Sequence, residues 1–398
     1  MLAGVAGGAF LLRLGTRLWL TDAASVDEGY TFYLGIARTF VQGGGLCAAP
    51  GEACSQRVPV YPLLLAPLVA GGWLFPGLAI VQSAIGALTV WLTGAMARDV
   101  FGARAALVAA ILAALNPYAV VHDTALQETS LVNCLLALSL FLLLPLRRSE
   151  KPAAAVAAGA TLGLAVLTTA RVALLVPPAL LWTVFVTPVP WQKGIRRAVL
   201  VALPLVLLVG GWMLRNWRIE GAPVLTTETG ISLWLGNNAW TFESFPRDSI
   251  DRVSAASFAS ATPEQWADIR ATIGKPVERD RLLRGWARDA VAADPVTTVV
   301  NAARKIWVVL SARYTPERST LVQWGYAAFF LPIHMLAAWT LWRTWRTDRA
   351  HLLTMGVLTA FLFTTAVFWA HTSHKSLVDA VLLVYASAGL ADARRTTA

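Results

Sequence analysis

Charge is what this 398-residue chain has least of: 14% of it is Asp, Glu, Lys or Arg, against 57% hydrophobic residues. So few ionic side chains cannot clothe a soluble domain of this size. Apolar runs of about 20 residues, long enough to cross a ~30 Å hydrocarbon layer, recur along its length instead. No heptad run, tandem repeat or low-complexity tract is present. Cysteine is scarce too, with three in all. Cys47 and Cys54 lie in a Gly-rich stretch where either a disulfide or two unpaired small residues would serve, and Cys134 is expected inside a helix.

The charge that is present is unevenly spread. The formal net charge is +10, but the cations sit in alternate short connections: Arg98 and Arg104; Arg147, Arg148 and Lys151; Lys193, Arg196 and Arg197; Arg343, Arg346 and Arg349; Arg394 and Arg395. That alternation orients a multi-pass protein with these loops in the cytoplasm. It is an orientation signal and not a nucleic-acid patch. The expected fold class is an all-α polytopic membrane protein with about ten spans, near 3–21, 77–97, 105–122, 128–146, 153–170, 172–189, 197–214, 320–342, 352–370 and 376–392. The first twenty residues lack a basic n-region and a convincing cleavage site, so they read as the first span. Residues 1–214 form an N-terminal membrane part containing the first outer loop, 22–76, with juxtamembrane helices. Residues 215–319 form a small mixed external segment, and 320–398 the C-terminal spans. In the external segment, 215–238 reads as strands and loops, and 278–310 as helix interrupted at Pro295.

Candidate chemistry gathers at the outer boundary. Asp27 and Glu28 follow the first span, and Asp123 and Glu128 stand in the next short outer connection. Capping is the bland reading of both pairs, yet acids near hydrocarbon are costly and tend to be functional. Cations share that face: Arg57 at the head of RVPVYP, Arg171, His374 and Lys375, with Arg13 and Arg17 within about 10 Å of the first span's outer end. Singly, each reads as snorkelling to headgroups; collectively they suit an anion held at membrane depth, such as a lipid phosphate. His371 and His374 have H-x-x-H spacing, a weak metal signal, and Gly236-Asn237-Asn238 reads as a turn. Transfer of a sugar from a lipid phosphate needs a carboxylate to take the acceptor's proton and positive charge to hold the departing phosphate.

The segment LLRLGTRLWLTDAASVDEGYTFYLGIARTF resembles the first span and loop of the GT-C glycosyltransferases. The branch it most resembles is the bacterial group similar to dolichyl-phosphate-mannose protein mannosyltransferases and lipid A aminoarabinose transferases. RVPVYPLLLAPL resembles that group's basic-Pro-x-Tyr-Pro stretch, and LNPYAVVHDTALQETSLVNCLLAL its second outer loop. LTTARVALLVPP, WMLRNWRIEGAPVLTTETGISLWLGNN and the ADP…ARKIW helix match later blocks. The resemblance implies inverting transfer from a polyprenyl-phosphate sugar to an acceptor hydroxyl of a glycan, lipid or protein, on the outer face of the plasma (inner) membrane. Asp27, beside Glu28, would be the catalytic base. Arg57, with Arg171, His374 and Lys375, would hold the donor phosphate. Tyr61, Asp123, Glu128, Arg215, Asn237 and Asn238 would line the substrate cavity. A divalent cation (Mg or Mn) is the only cofactor in view, and Gln56 stands where some relatives carry a metal-binding Glu. The competing reading is a transporter or lipid flippase of the envelope, which predicts mid-membrane ionisable residues and inverted repeats.

Overall fold

The computed structural model describes residues 1–20, 31–148, 151–186 and 190–393. The chain is helical, and no β-strand occurs among the described residues. Helix α1 (Leu2–Trp19) leads, with α2 (Thr31–Val41) and α3 (Val60–Ala70) in the first loop. Next come α4 (Leu74–Phe101), α5 (Ala103–Ala114), the short α6 (Pro117–His122), α7 (Thr129–Leu143), α8 (Pro152–Val166), α9 (Val176–Phe185) and α10 (Trp191–Glu220). Six helices follow: α11 (Thr229–Asn237), α12 (Ala239–Ser244), α13 (Ile250–Ala259), α14 (Pro263–Ala271), α15 (Pro276–Ala293) and α16 (Pro295–Leu310). The chain closes with α17 (Thr320–Thr344), α18 (Ala350–Val367), the single turn α19 (Thr372–Lys375) and α20 (Asp379–Ala393).

Every expected span has a helix at its place. Five of them, starting at Leu74, Thr129, Trp191, Thr320 and Ala350, are long and apolar enough to cross a membrane unaided, and Ala103–Ala114, Pro152–Val166 and Ala170–Phe185 are shorter apolar pieces. The expectation of an all-α polytopic membrane protein is borne out. Small residues let the helices approach, as packing in lipid requires. The buried stripe of α5 is Ala105, Ala106, Ala109, Ala110, Ala113 and Ala114. Gly102, at φ +93°, reverses the chain between α4 and α5 with no helical residue to spare. A Cβ on Gly159 would stand 1.9 Å from the Val201 carbonyl oxygen, so α8 and α10 touch backbone to backbone there.

The two ends of the bundle collect the two sets of loops. At the basic end, Arg147 bonds Asp99 and lies 3.1 Å from Asp348, while Arg148 reaches Asp99 at 2.7 Å. At the other end the first loop, the 123–128 connection and the segment after α10 meet. The stretch 229–237, read above as strand or loop, is helix α11. Its Gly230 amide donates to the Asp280 carboxylate, which docks α11 on α15. The Gly236-Asn237-Asn238 turn is corrected likewise: Gly236 and Asn237 end α11, and Asn238 caps α12 by accepting from the Thr241 amide at 2.8 Å.

Candidate active site

The first loop is built as a platform. Helices α2 and α3 bury Tyr33, Leu34 and Ala37 against Tyr61, Leu65 and Leu68. Cys47 and Cys54 are joined in a disulfide, and Cys134 is free and buried. Arg215, near the end of α10, donates to the carbonyls of Cys54 and Leu46 and so grips both sides of the disulfide loop. Ser55 donates to Glu220 at 2.9 Å, and the Thr227 amide donates to the Ser55 carbonyl at 3.0 Å. Residues 46–56 are thereby stitched to 215–227. This locates Arg215 as a clamp on the loop carrying Arg57.

Arg57 projects from the end of that loop. Its guanidinium lies 4.1 Å from the centre of the Phe32 ring and 3.4 Å from a carboxylate oxygen of Glu228. Aromatic face and carboxylate together fix the plane of the cation. Three residues further on, the Val60 amide donates to the Leu167 carbonyl, bringing this loop to the turn before Arg171. Asp27 and Glu28 lie outside the described residues.

The 123–128 connection is more deeply buried than a capping role needs. Asp123 accepts from Arg13 Nε at 2.7 Å, and both side chains are almost fully enclosed. Arg13 does not snorkel: it pairs inside the bundle. Gln82 donates to the carbonyls of Asp123 and Ala125 and accepts from the Tyr61 hydroxyl at 2.9 Å. A chain of bonds thus runs from Asp123 to Tyr61, and Tyr61 meets Tyr33 edge-on at 5.1 Å. Glu128 begins α7 without capping it, and its Oε2 is buried with no hydrogen-bond partner.

Arg171 and His374 are brought together. Both line one cavity whose other walls include Phe361, Trp369, Leu377 and Val378. The His374 ring is held by a 2.8 Å bond between Nδ1 and the Trp369 carbonyl. Lys375 is not among the lining residues. It is buried 2.8 Å from Asp379, with its ammonium 2.9 Å from the Phe330 ring centre, and Asp379 also accepts from Asn116 at 2.9 Å. Asn237 sits apart from the cavity lining, donating to the Val367 carbonyl at 2.8 Å, and Asn238 to that of Trp234 at 3.1 Å. Two groups were missed in the sequence. Glu228 lies in the quoted TTETG block, but nothing local pairs it with Arg57. Arg318 acts with His122 and Arg171 on His371: burial first, then these charges, pushes that imidazole down to about 3. Among the described residues no group of three or more His, Cys, Asp and Glu side chains could hold a metal.

The comparisons with known proteins agree with this architecture. Residues 61–212 match the family model for dolichyl-phosphate-mannose-protein mannosyltransferase. The apo oligosaccharyltransferase of Archaeoglobus fulgidus superposes with a TM-score of 0.60 at 15% identity, over 100% of this chain and 51% of that one. The oligosaccharyltransferase AglB from Archaeoglobus fulgidus, in complex with an inhibitory peptide and a dolichol-phosphate, gives 0.57 at 15% identity, over 99% and 50%. ArnT from Cupriavidus metallidurans bound to undecaprenyl phosphate aligns over 98% of this chain and 77% of that one at 16% identity, but its TM-score of 0.37 carries no weight. No curated protein matches. The chain spans about half the length of the oligosaccharyltransferases it superposes on. Its fold is that of the oligosaccharyltransferases it superposes on, and the match over residues 61–212 agrees with the mannosyltransferase-like resemblance drawn from the sequence.

Proposed function

We propose that this chain transfers a sugar from a polyprenyl-phosphate donor to an acceptor hydroxyl, with inversion, on the outer face of the inner membrane. The observation that carries the reading is the cavity shared by Arg171 and His374, because the Arg171 guanidinium and the His374 imidazole beside Phe361, Trp369 and Leu377 suit a phosphate attached to an apolar tail. In this account Asp27, five residues before the Phe32 that contacts Arg57, accepts the acceptor's proton as its oxygen attacks the anomeric carbon. The bond from that carbon to the phosphate oxygen breaks, and Arg57, Arg171 and His374 stabilise the phosphate that leaves. Glu228 orients Arg57. Glu128, whose buried Oε2 has no partner among the described residues, is the acid of the 123–128 connection left for the acceptor side, while Tyr61 and Asp123 brace it from inside the bundle. The donor specificity and acceptor classes of the similar enzymes come to this chain only as part of the proposal. So do the division into a 1–214 membrane part, a 215–319 external segment and 320–398 C-terminal helices, and a Mg or Mn requirement, for which no described cluster provides ligands.

The test is transfer from labelled polyprenyl-phosphate sugars in membranes carrying the chain or its Asp27→Asn variant. A general base contributes on the order of 10²–10⁴ in rate, so folded Asp27→Asn should lose at least a hundredfold. Retained transfer would remove Asp27 as base.

A further inference from the structure

Helix α16 carries an apolar stripe that none of the described residues covers. Val296, Val299, Val300, Trp307 and Leu310 recur at helical spacing on one face and are exposed, Val296 to 72% and Trp307 to 67%. The opposite face holds Lys305, which is buried and donates to the carbonyls of Gly236 at 3.1 Å and Phe368 at 3.0 Å.

The contacts of α16 fix its depth. Phe368 is the residue just past the outer end of the spanning helix α18, so Lys305 stands at the level where that span leaves the bilayer. Five residues on, the Leu310 carbonyl meets His334 Nδ1 at 3.0 Å. His334 lies ten residues before the inner end of α17 at Thr344, or roughly 15 Å by helical rise. In a hydrocarbon layer of ~30 Å that is close to mid-depth. The chain then returns through 311–319 to start α17. Leu321 and Trp324, in the first turns of that span, are exposed to 83% and 72% as well.

We infer that α16 is a re-entrant helix: it slopes from the headgroup region, where its valines lie, into the outer leaflet, with Trp307 and Leu310 against lipid acyl chains. This takes 305–310 out of the water-exposed part of the external segment. It also gives Lys305 a task, because the helix seated in lipid holds Phe368, the neighbour of the cavity residue Trp369. The inference rests on packing depth and does not depend on the reaction proposed above.

The test uses the full chain in proteoliposomes with single cysteines, Val299→Cys, Trp307→Cys and Leu310→Cys, and Arg288→Cys on the exposed side of α15 as control; the disulfide stays intact and Cys134 is buried. Arg288→Cys should react with a membrane-impermeant maleimide at least tenfold faster than Trp307→Cys or Leu310→Cys. Fluorophores attached under denaturant-free conditions with a permeant reagent should be quenched by nitroxide lipids, shallow ones acting more on position 299 and deep ones on 310. Two lipid-facing positions guard against one variant failing to fold. Equal maleimide reactivity at all four sites would overturn the proposal. So would equal quenching depth at 299 and 310, which would mean that the helix lies flat on the surface.

Discussion

Arg13 Nε and Asp123 Oδ2 lie 2.7 Å apart inside the helix bundle, 110 residues apart in sequence. The guanidinium also points toward the carbonyls of Ala9, Ala113 and Ala114, so one cation ties α1 to α5 and to the connection that carries Asp123. Removing one partner strands a buried charge, which costs about 3–5 kcal/mol. Asp123→Ala should therefore lower thermal stability in detergent sharply, and the double variant Arg13→Met with Asp123→Leu should recover most of it. Equal stability of Asp123→Ala and the parent would contradict this role.

The same pair explains a glycine. A Cβ at Gly86 would sit 2.6 Å from both Arg13 Nε and Asp123 Oδ2, and neither can retreat without losing its partner. Gly86→Ala should destabilise by about 1–3 kcal/mol, the usual cost of overpacking. Pairing it with Asp123→Ala should give less than the sum of the two losses, measurable as a double-mutant cycle in thermal unfolding.

Arg57 is held by Phe32 and Glu228. If Arg57 meets the donor phosphate, Arg57→Ala should cut kcat/KM for the lipid-linked donor at least a hundredfold, since such anion-stabilising groups are worth ~2.7–4 kcal/mol. Glu228→Gln, which leaves Arg57 present but less well aimed, should cost about tenfold and act mainly on KM. An effect of Glu228→Gln as large as that of Arg57→Ala would make Glu228 more than a positioning group.

The Cys47–Cys54 bridge holds the carbonyl of Cys54 and that of nearby Leu46 where Arg215 can reach both. A loop this short gains about 2 kcal/mol from its cross-link. Reduction, or Cys47→Ser with Cys54→Ser, should lower stability by that order and slow transfer. Arg215→Ala should add little to the loss once the bridge is gone, because both act on the same loop.

Helix positions were legible because hydrophobic length alone specifies spans, and α4, α7, α10, α17 and α18 satisfy it outright. The charge pattern likewise separated the loops that meet at Arg147 and Asp99 from those at the other end. Stretch 229–237 misled because Thr, Ile and Trp favour strands locally, whereas the Asp280 carboxylate on the Gly230 amide is a contact across fifty residues. Long-range pairing also decided the site. Arg13 read as a snorkelling cation until Asp123 faced it, and Arg57 showed nothing of Glu228. The sequence groups Arg171, His374 and Lys375 with Arg57 as cations of one face; Arg171 and His374 share a cavity, whereas Lys375 neutralises Asp379 one helical turn on. Asp27 and Glu28 lie outside the described residues.

Occupation of the cavity of Arg171 and His374 by a lipid phosphate is the central claim. The direct measurement is equilibrium binding of a polyprenyl phosphate to the purified chain in nanodiscs, beside Arg171→Ala and the distant control Arg288→Ala. The expected result is saturable binding, weakened at least tenfold by Arg171→Ala and unchanged by Arg288→Ala. Binding of equal strength in all three would contradict it.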